Sequence, residues 1–216
     1  MRTTYKSDRV LNTYRATNDT APANVYAALL TAVTDAEAGT VTEASFSGYA
    51  RVAITFGAPG AALGGRQITN SGAVLFAAKA DAGTATIIAV GIYDALTVGN
   101  LMDIIYLDGA DPLTFIGNDT TTEFLRSPAH GLANDQQVRV EVHPGGGALP
   151  TGLSENTTYF VVSSATDEFK LSTTQGGAAV NITAFGRGIL HRLTPKAIDQ
   201  NDQANFAVGT LKLADD

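Results

Sequence analysis

Residues 48–56 read Gly-Tyr-Ala-Arg-Val-Ala-Ile-Thr-Phe, and apolar positions recur there at every second residue. In an extended strand, one side would carry Ala50, Val52, Ile54 and Phe56. A period of two is typical of a strand with one buried face. Glycines at both ends, Gly48 and Gly57, mark turns. The pattern therefore predicts a strand, in the middle of a sheet that residues 205–213 complete.

Other segments up to residue 107 share this strand character. Strands are predicted at residues 24–31, 41–46, 66–71, 73–77, 84–93 and 101–107. The last two are apolar at nearly consecutive positions, which is typical of strands covered on both faces, as in a sandwich. Residues 1–20 are polar. They predict a surface arm or short helix, or an arm that docks on a neighbouring subunit.

The sequence changes in character after Asp111 and Pro112. Residues 113–192 hold the three histidines, a glycine run at 145–147 and short strand pairs, among them a hairpin of residues 158–163 and 168–172, with 180–182 as the closing strand. Alternation then resumes near Phe206. We therefore predict an arm (1–20), a discontinuous scaffold domain (21–112 with 193–216) and an inserted module (113–192). The expected fold class is all-β: a jelly-roll-like β-sandwich with an inserted small β-barrel or sandwich.

Charge and composition exclude several classes of protein. The net charge of −7, without a run of basic residues, argues against nucleic-acid binding. The chain has no cysteine, so disulfides and thiolate metal sites are excluded. Residues 1–6 lack the apolar stretch of a signal peptide, and Asp94, Gly99, Asn100 and Asp103 interrupt the longest apolar segment. We expect a soluble protein made in a cytoplasm, without membrane insertion.

Candidate chemistry is sparse. His130, His143 and His191 lie on different predicted elements, and Asp108 and Asp111 do not have the spacing of an EF-hand loop. The glycine run 145–147 is not followed by the Lys-Ser/Thr of a phosphate-binding loop. We therefore predict no catalytic residue, metal or cofactor, and a protein that is not an enzyme.

An ordered series of motifs resembles the tail fibre or minor tail proteins of tailed phages. The series comprises Val25-Tyr-Ala-Ala-Leu-Leu, Thr40-Val-Thr-Glu, the Gly48-Tyr-Ala-Arg strand, Ile68-Thr-Asn-Ser-Gly-Ala-Val-Leu-Phe and Val90-Gly-Ile-Tyr-Asp. Together with a second resemblance in the inserted module, it covers most of residues 24–213 and leaves residues 1–20 outside. Residues 127–135, 149–162 and 168–172 resemble a small β module of phage virion proteins. The structural signature that the resemblance implies consists of Gly48, Tyr49, Ala50, Arg51, Phe56, Asn70, Phe76, Gly91, Tyr93 and Asp94.

The resemblance implies a structural component on the exterior of a tailed-phage virion, assembled in the bacterial cytoplasm. A tail fibre or tail-tip protein is the first interpretation, and a head decoration or cement protein on the capsid is the alternative. A carbohydrate-binding adhesin is a further alternative, with Tyr159 and Phe160 as surface contacts to a host glycan. The expected partners are other virion proteins and further copies of the chain, a homo-oligomer for which a trimer is the first choice.

Overall fold

A computed structural model describes residues 2–17, 20–36, 38–62, 65–107, 112–117, 120–143, 145–155 and 157–215. The chain divides into two compact units, which we call the scaffold unit (Met1–Leu107 with Pro195–Asp216) and the barrel unit (Asp108–Thr194). The fold class is all-β, as predicted. None of the helices described is long and apolar enough to span a membrane.

The scaffold unit contains one helix in its described part and twelve strands. In chain order these are α1 (Thr4–Tyr14), β1 (Val25–Asp35), β2 (Thr40–Glu43), β3 (Val52–Ile54), β4 (Gly60–Ala62), β5 (Gly65–Thr69), β6 (Val74–Leu75), β7 (Ala85–Ile87), β8 (Ala89–Tyr93), β9 (Leu101–Tyr106), β16 (Lys196–Ile198), β17 (Asn205–Phe206) and β18 (Lys212–Asp215). The strands β10 to β15 belong to the barrel unit.

The largest sheet has the order β2-β1-β8-β9, and β3 pairs with a separate stretch of β1. All of its pairings are antiparallel. Three smaller sheets bring in the C-terminal strands, because β16 pairs with β7, β17 with β6 and β18 with β5. These pairings are the ones expected of a C-terminal segment that returns to residues 24–107.

Both faces of the large sheet are buried. Ala27, Val90 and Met102 point to one face and pack with the small sheets, while Leu30 and Ile104 belong to a cluster on the other face. Burial of both faces was predicted for residues 84–93 and 101–107. The single strand predicted at 84–93 is wrong in one respect: the backbone divides at Ile88, so that β7 and β8 join different sheets.

The strand predicted at residues 48–56 is much shorter in the structure and lies at an edge. Residues 47–48 form a turn, and β3 covers only Val52–Ile54, with β1 as its pairing partner. Gly48 has a φ of +90°, in the left-handed region that favours glycine, and the Tyr49 amide donates to the Phe46 carbonyl. This turn breaks the alternation: Ala50, predicted to face inward, is exposed, and Tyr49 packs on the core instead.

The N-terminal segment is a helix anchored on the edge of β9. The hydroxyl of Thr3, the N-cap residue, accepts from the Lys6 amide and donates to the carbonyls of Leu101 and Met102. The Thr3 amide also donates to the Met102 carbonyl. Capping and edge pairing therefore fix where α1 begins.

The barrel unit is a closed six-stranded barrel with the order β10-β11-β14-β13-β12-β15. Its strands are β10 (Leu113–Gly117), β11 (Leu125–Arg126), β12 (Gln137–Val142), β13 (Thr158–Val162), β14 (Glu168–Ser172) and β15 (Gly186–Arg192). Inward side chains fill it, among them Phe115, Val138, Val140, Tyr159, Val161, Phe169 and Leu190. The predicted hairpin of residues 158–163 and 168–172 is confirmed as β13 and β14.

The closing strand of the barrel differs from the prediction. Residues 180–182 are not a strand; β15 closes the barrel by pairing with both β10 and β12. Two glycines, Gly186 and Gly188, weaken the strand signal of β15 in the sequence. Alternation along β12 predicts that Val138, Val140 and Val142 face inward and that Arg139 and Glu141 face outward. In the structure Val142 is exposed, and Arg139 is buried beside Glu141.

Candidate functional site

Two of the predicted signature residues, Tyr49 and Tyr93, lie near the guanidinium of a third, Arg51. Its Nε and Nη2 donate to the two carboxylate oxygens of Glu43, at 3.0 and 2.7 Å. Its Nη1 donates to the carbonyls of Ala95 (3.0 Å) and Val98 (2.6 Å). The guanidinium carbon also lies 3.5 Å from the centre of the Tyr93 ring. A planar side chain with five donors suits such a site, and lysine could not reproduce it.

Tyr49 connects this cluster to the core. Its hydroxyl donates to Glu43 (2.7 Å) and accepts from the Leu29 amide (3.0 Å) in β1. The ring stacks on Phe76, with centroids 6.2 Å apart. Burial raises the pKa of the Tyr49 hydroxyl, and the hydrogen bond to Glu43 raises it further. We call Glu43, Tyr49, Arg51 and Tyr93 the Arg51 clamp.

The ion pair of the clamp is largely removed from water. The Arg51 and Glu43 side chains retain 10% and 25% of their exposure. A buried charge that loses its partner costs about 3–5 kcal/mol, whereas the intact pair contributes little net stability. Burial, followed by the charge of Glu43, raises the pKa of Tyr93. The clamp thus holds a bidentate pair whose two members depend on each other.

The clamp holds residues 94–100, which we call the Val98 loop. Asp94 closes the loop by accepting from the Asn100 amide (2.7 Å) and the Asn100 side chain (2.9 Å), and it also accepts from the Tyr5 hydroxyl. Although burial raises the pKa of Asp94, the hydrogen bonds from Asn100 and Tyr5 lower it below its usual value. Gly99 has a φ of +72°, and a Cβ there would lie 2.6 Å from the Cβ of Ala95.

Asn70 forms a second, separate centre. Its buried side chain donates to the carbonyls of Gly72 and Ala207, both at 2.8 Å, and accepts from the Leu211 amide at 2.9 Å. Its backbone forms an isolated bridge with Phe56. Asn70 thereby ties the segment after β5 to the C-terminal segment, 141 residues away in sequence.

The remaining signature residues have simpler positions. Phe76 lies in the core between Tyr49 and Phe206. Gly91 lies within β8, facing Leu101 and Tyr93. Gly48 forms the turn before β3, and the exposed Ala50 has no buried role.

One member of the clamp, Glu43, is missing from the predicted signature. Glu43 lies within the strand predicted at residues 41–46, but sequence spacing does not pair it with Arg51. An acidic residue in one predicted strand, eight positions before an arginine in the next predicted strand, is the signal that was available.

In the barrel unit, Tyr159 is 2% exposed and belongs to the core, where its hydroxyl accepts from the Ser154 amide. Tyr159 therefore offers no surface for a ligand, and Phe160 is half-buried. His130 is also buried: its ring packs edge-on against Phe169, and Nδ1 accepts from the Leu132 amide. Its role there is to fix the turn that precedes β12.

The described residues contain no group of three or more histidines, aspartates or glutamates that could hold a metal. Asp108 and Asp111, considered for calcium, lie outside the described residues. His143 accepts from the Gly145 amide, and His191 lies 3.2 Å from a Glu141 oxygen. The His143 contact stabilises a turn, and the His191 contact joins two paired strands.

Comparison with known protein families gives one decisive match. Residues 2–125 match the family described as Podophage GP4 fiber I protein gp80, and this stretch is more than half of the 216 residues. The chain belongs to this family of phage fibre proteins. A comparison with curated proteins found no match.

Membership identifies the chain as a structural fibre protein of a tailed phage, which associates with other virion proteins. The match begins at residue 2, so it extends over α1, which the sequence resemblance had left outside. It also contains the whole Arg51 clamp and the Val98 loop.

Proposed function

We propose that the protein is a tail fibre or tail-tip component on the exterior of a tailed-phage particle. The observation that supports this proposal is the family match over residues 2–125, because the family description names a fibre protein. The all-β scaffold, built around a buried clamp, suits a structural role that requires rigidity.

In this proposal the predicted signature residues have a structural role, because they hold parts of the scaffold unit together. The Arg51 clamp connects the end of β2, the turn before β3 and the Val98 loop. Asn70 ties the C-terminal segment to the same unit. We infer that these residues keep the scaffold in one shape while it is attached to its neighbours.

Labelled particles test the position in the virion. Antibody against the full chain, detected by gold in electron micrographs of intact phage, is expected at the tail. Label spread over the capsid would instead support the head decoration protein. A homo-oligomer, with a trimer as first choice, is part of the proposal, and closed symmetric assemblies are the common solution for repeated subunits.

A second candidate function, glycan binding, is favoured by a cleft of about 790 Å³ on the barrel unit. Six of its lining residues are Thr114, Ile116, Arg126, Asp167, Glu168 and Arg187. Hydroxyl, guanidinium and carboxylate groups around an exposed aliphatic side chain can contact both the polar and the apolar surface of a sugar.

A glycan array probed with the full chain tests this candidate. Binding that is lost in Ile116→Asp and kept in Val208→Asp, at an exposed valine of the scaffold unit, would support it. Silence of the wild-type chain on bacterial surface glycans would reject it, while leaving the fibre assignment unchanged.

A further inference from the structure

A row of outward side chains crosses four neighbouring strands of the barrel unit. In the pairing register, Arg187 of β15 lies opposite Ile116 of β10. Ile116 in turn lies opposite Arg126 of β11, which lies opposite Glu168 of β14. All four residues line the cleft of about 790 Å³, which we call the Ile116 cleft. The register therefore fixes the order of charges along this cleft.

The two ends of the row differ in charge. At one end, Arg126 and Glu168 form an ion pair with 2.5 Å between Nη2 and Oε1, so these two charges neutralise each other. Asp167 lines the cleft at the same end, and its Oδ1 accepts from the Ala129 amide at 2.8 Å. Arg187 stands at the other end. Because neighbouring strands lie about 4.8 Å apart, roughly 14 Å along the sheet separate β15 from β14.

The glycine turn at residues 145–147 holds Arg187 in place. The Arg187 Nε donates to the Gly146 carbonyl and Nη2 donates to the Gly145 carbonyl, both at 2.7 Å. These bonds use one edge of the planar guanidinium and leave the fork formed by Nη1 and the second N–H of Nη2. Among the residues that the structure describes, no carboxylate pairs with this fork. A fixed guanidinium fork of this kind binds a carboxylate or a phosphate in a bidentate manner.

The surroundings of Arg187 distinguish it from an ordinary surface arginine. Arginine is mostly exposed in proteins, so an unpaired guanidinium alone does not define a site. Here Ile116, which is 47% exposed, gives the cleft an aliphatic surface between its two ends. An ionised carboxylate has about four acceptor positions, so Asp167 can accept hydrogen bonds in addition to the one from the Ala129 amide. A matching ligand therefore carries an anion at one end, an apolar face and hydroxyl donors at the other end.

We propose that the Ile116 cleft binds an anionic saccharide. Its carboxylate or phosphate lies on the Arg187 fork, the apolar face of a sugar ring packs on Ile116, and hydroxyl groups donate to Asp167. The chain has a net charge of −7, so a general attraction of anions does not explain such a preference. The inference rests on the glycan-binding candidate of the proposed function and adds the charge class of the glycan.

An array of bacterial surface polysaccharides, incubated with the full chain, tests this charge class. The polysaccharides fall into three groups: those with carboxylated sugars, those with phosphate groups and neutral ones. We expect binding to at least one anionic group to be at least about tenfold stronger than to the neutral group, because hydrogen bonds between charged groups are the stronger ones. Equal binding to all groups, or binding to neutral polysaccharides alone, overturns the inference.

Chemical modification of the bound polysaccharide identifies the anion. Reduction of carboxylates to primary alcohols removes their charge and keeps the sugar chain, whereas hydrofluoric acid removes phosphate groups. The modification that removes the anion held by Arg187 should weaken binding by at least about tenfold. If neither modification weakens binding, the fork holds no anion and the inference is wrong.

Arg187→Gln tests the fork itself. The measured quantity is the ratio of the affinity for the anionic polysaccharide to that for its modified, uncharged form, because a general loss of structure would weaken both affinities alike. This ratio should fall from about ten or more to near one in Arg187→Gln, and Arg187→Lys should retain part of it because lysine keeps the charge without the fork. Arg15→Gln, at an exposed arginine of the scaffold unit, is the matched control and should keep the wild-type ratio. An unchanged ratio in Arg187→Gln overturns the inference.

The outcomes separate this inference from the proposed function. If the chain binds acidic and neutral glycans equally, the anionic saccharide is wrong and the glycan-binding candidate stands. Silence on the whole array rejects both of them. The tail fibre assignment depends on neither result, since gold labelling of intact phage tests it separately.

Discussion

Replacing Arg51 by methionine would test whether the Arg51 clamp is the main polar contribution to the scaffold unit. Methionine keeps much of the side-chain length and removes the charge. The change leaves the Glu43 carboxylate, 25% exposed, without its bidentate partner, and it frees the carbonyls of Ala95 and Val98. Tyr49 would remain as a hydrogen-bond donor to Glu43.

The expected cost follows from these contacts. Loss of one partner of a buried ion pair costs about 3–5 kcal/mol. The residual exposure of Glu43 and the remaining donor reduce this figure, while the two freed carbonyls add to it. We therefore expect the free energy of unfolding of the scaffold unit to fall by about 3 kcal/mol.

The suitable assay is urea denaturation monitored by hydrogen exchange and mass spectrometry, because the exchange protection of individual peptides reports the unfolding of each unit separately. Peptides of residues 25–54 and 89–106 should lose protection at lower urea, while barrel peptides of residues 137–172 serve as the internal reference. Arg15→Met, at an exposed arginine, is the matched control and is expected to cost less than about 0.5 kcal/mol.

A double-mutant cycle sharpens the test. Glu43→Gln in the Arg51→Met background should cost much less than in the wild type, because the unpaired carboxylate is then already gone. We expect a coupling energy of about 2 kcal/mol. A loss below 1 kcal/mol for Arg51→Met, or additive effects of the two changes, would refute the account of the clamp.

Three further predictions concern stability. Asn70→Ala removes three buried hydrogen bonds and is expected to lower the free energy of unfolding in urea by about 3 kcal/mol. The control Asn205→Ala, at an exposed asparagine, should cost less than about 0.5 kcal/mol, and equal effects of the two changes would contradict the role of Asn70 in holding the C-terminal segment. Burial and the hydrogen bond to Glu43 raise the pKa of Tyr49 above its unfolded value, so the stability that Tyr49 contributes is complete below pH 10 and is lost as the pH rises further. The wild-type scaffold unit should therefore lose stability more steeply between pH 10 and 12 than Tyr49→Phe, and parallel curves of stability against pH for the two proteins would contradict this prediction. Although burial raises the pKa of Glu141, its hydrogen bond with His191 and the neighbouring arginine lower it to about 2, so its contribution is complete above pH 5 and is lost as the pH falls towards 2. The free energy of unfolding of the barrel unit should fall by about 2 kcal/mol between pH 5 and 2.5, after allowance for the partial exposure of Glu141, and this fall should be absent in Glu141→Gln. If that variant loses the same stability at acid pH as the wild type, protonation of Glu141 is excluded as the cause.

Local patterns of apolar residues were sufficient to predict several elements of the fold. The apolar runs at residues 84–93 and 101–107 predicted strands covered on both faces, and they are found as β7, β8 and β9. The hairpin around residues 165–167 was predicted from two short alternating segments. These features are local, since each depends on the order of apolar and polar residues in a short segment and on the turn residues that flank it.

Contacts between distant residues decided the rest. The sequence predicted a strand at residues 48–56. In the structure Gly48 lies in a turn, the Arg51 guanidinium donates to the Glu43 carboxylate, and only Val52–Ile54 form β3. The barrel is closed by β15, whose glycines weaken its strand signal. Tyr159 was expected at the surface and lies in the core because the closed barrel gives β13 one filled inner face.

By itself, the sequence determined the all-β class and the burial of both faces of the central strands, and the family resemblance implied a set of signature residues. What the signature residues do was decided only by the tertiary structure. Arg51 donates to carbonyls 44 and 47 positions further along the chain. Glu43 completes the clamp, and Val98 is held outward in a strained conformation. Alternation specifies which way a side chain points along a strand, whereas these hydrogen bonds depend on which strands and loops the finished sheet brings together.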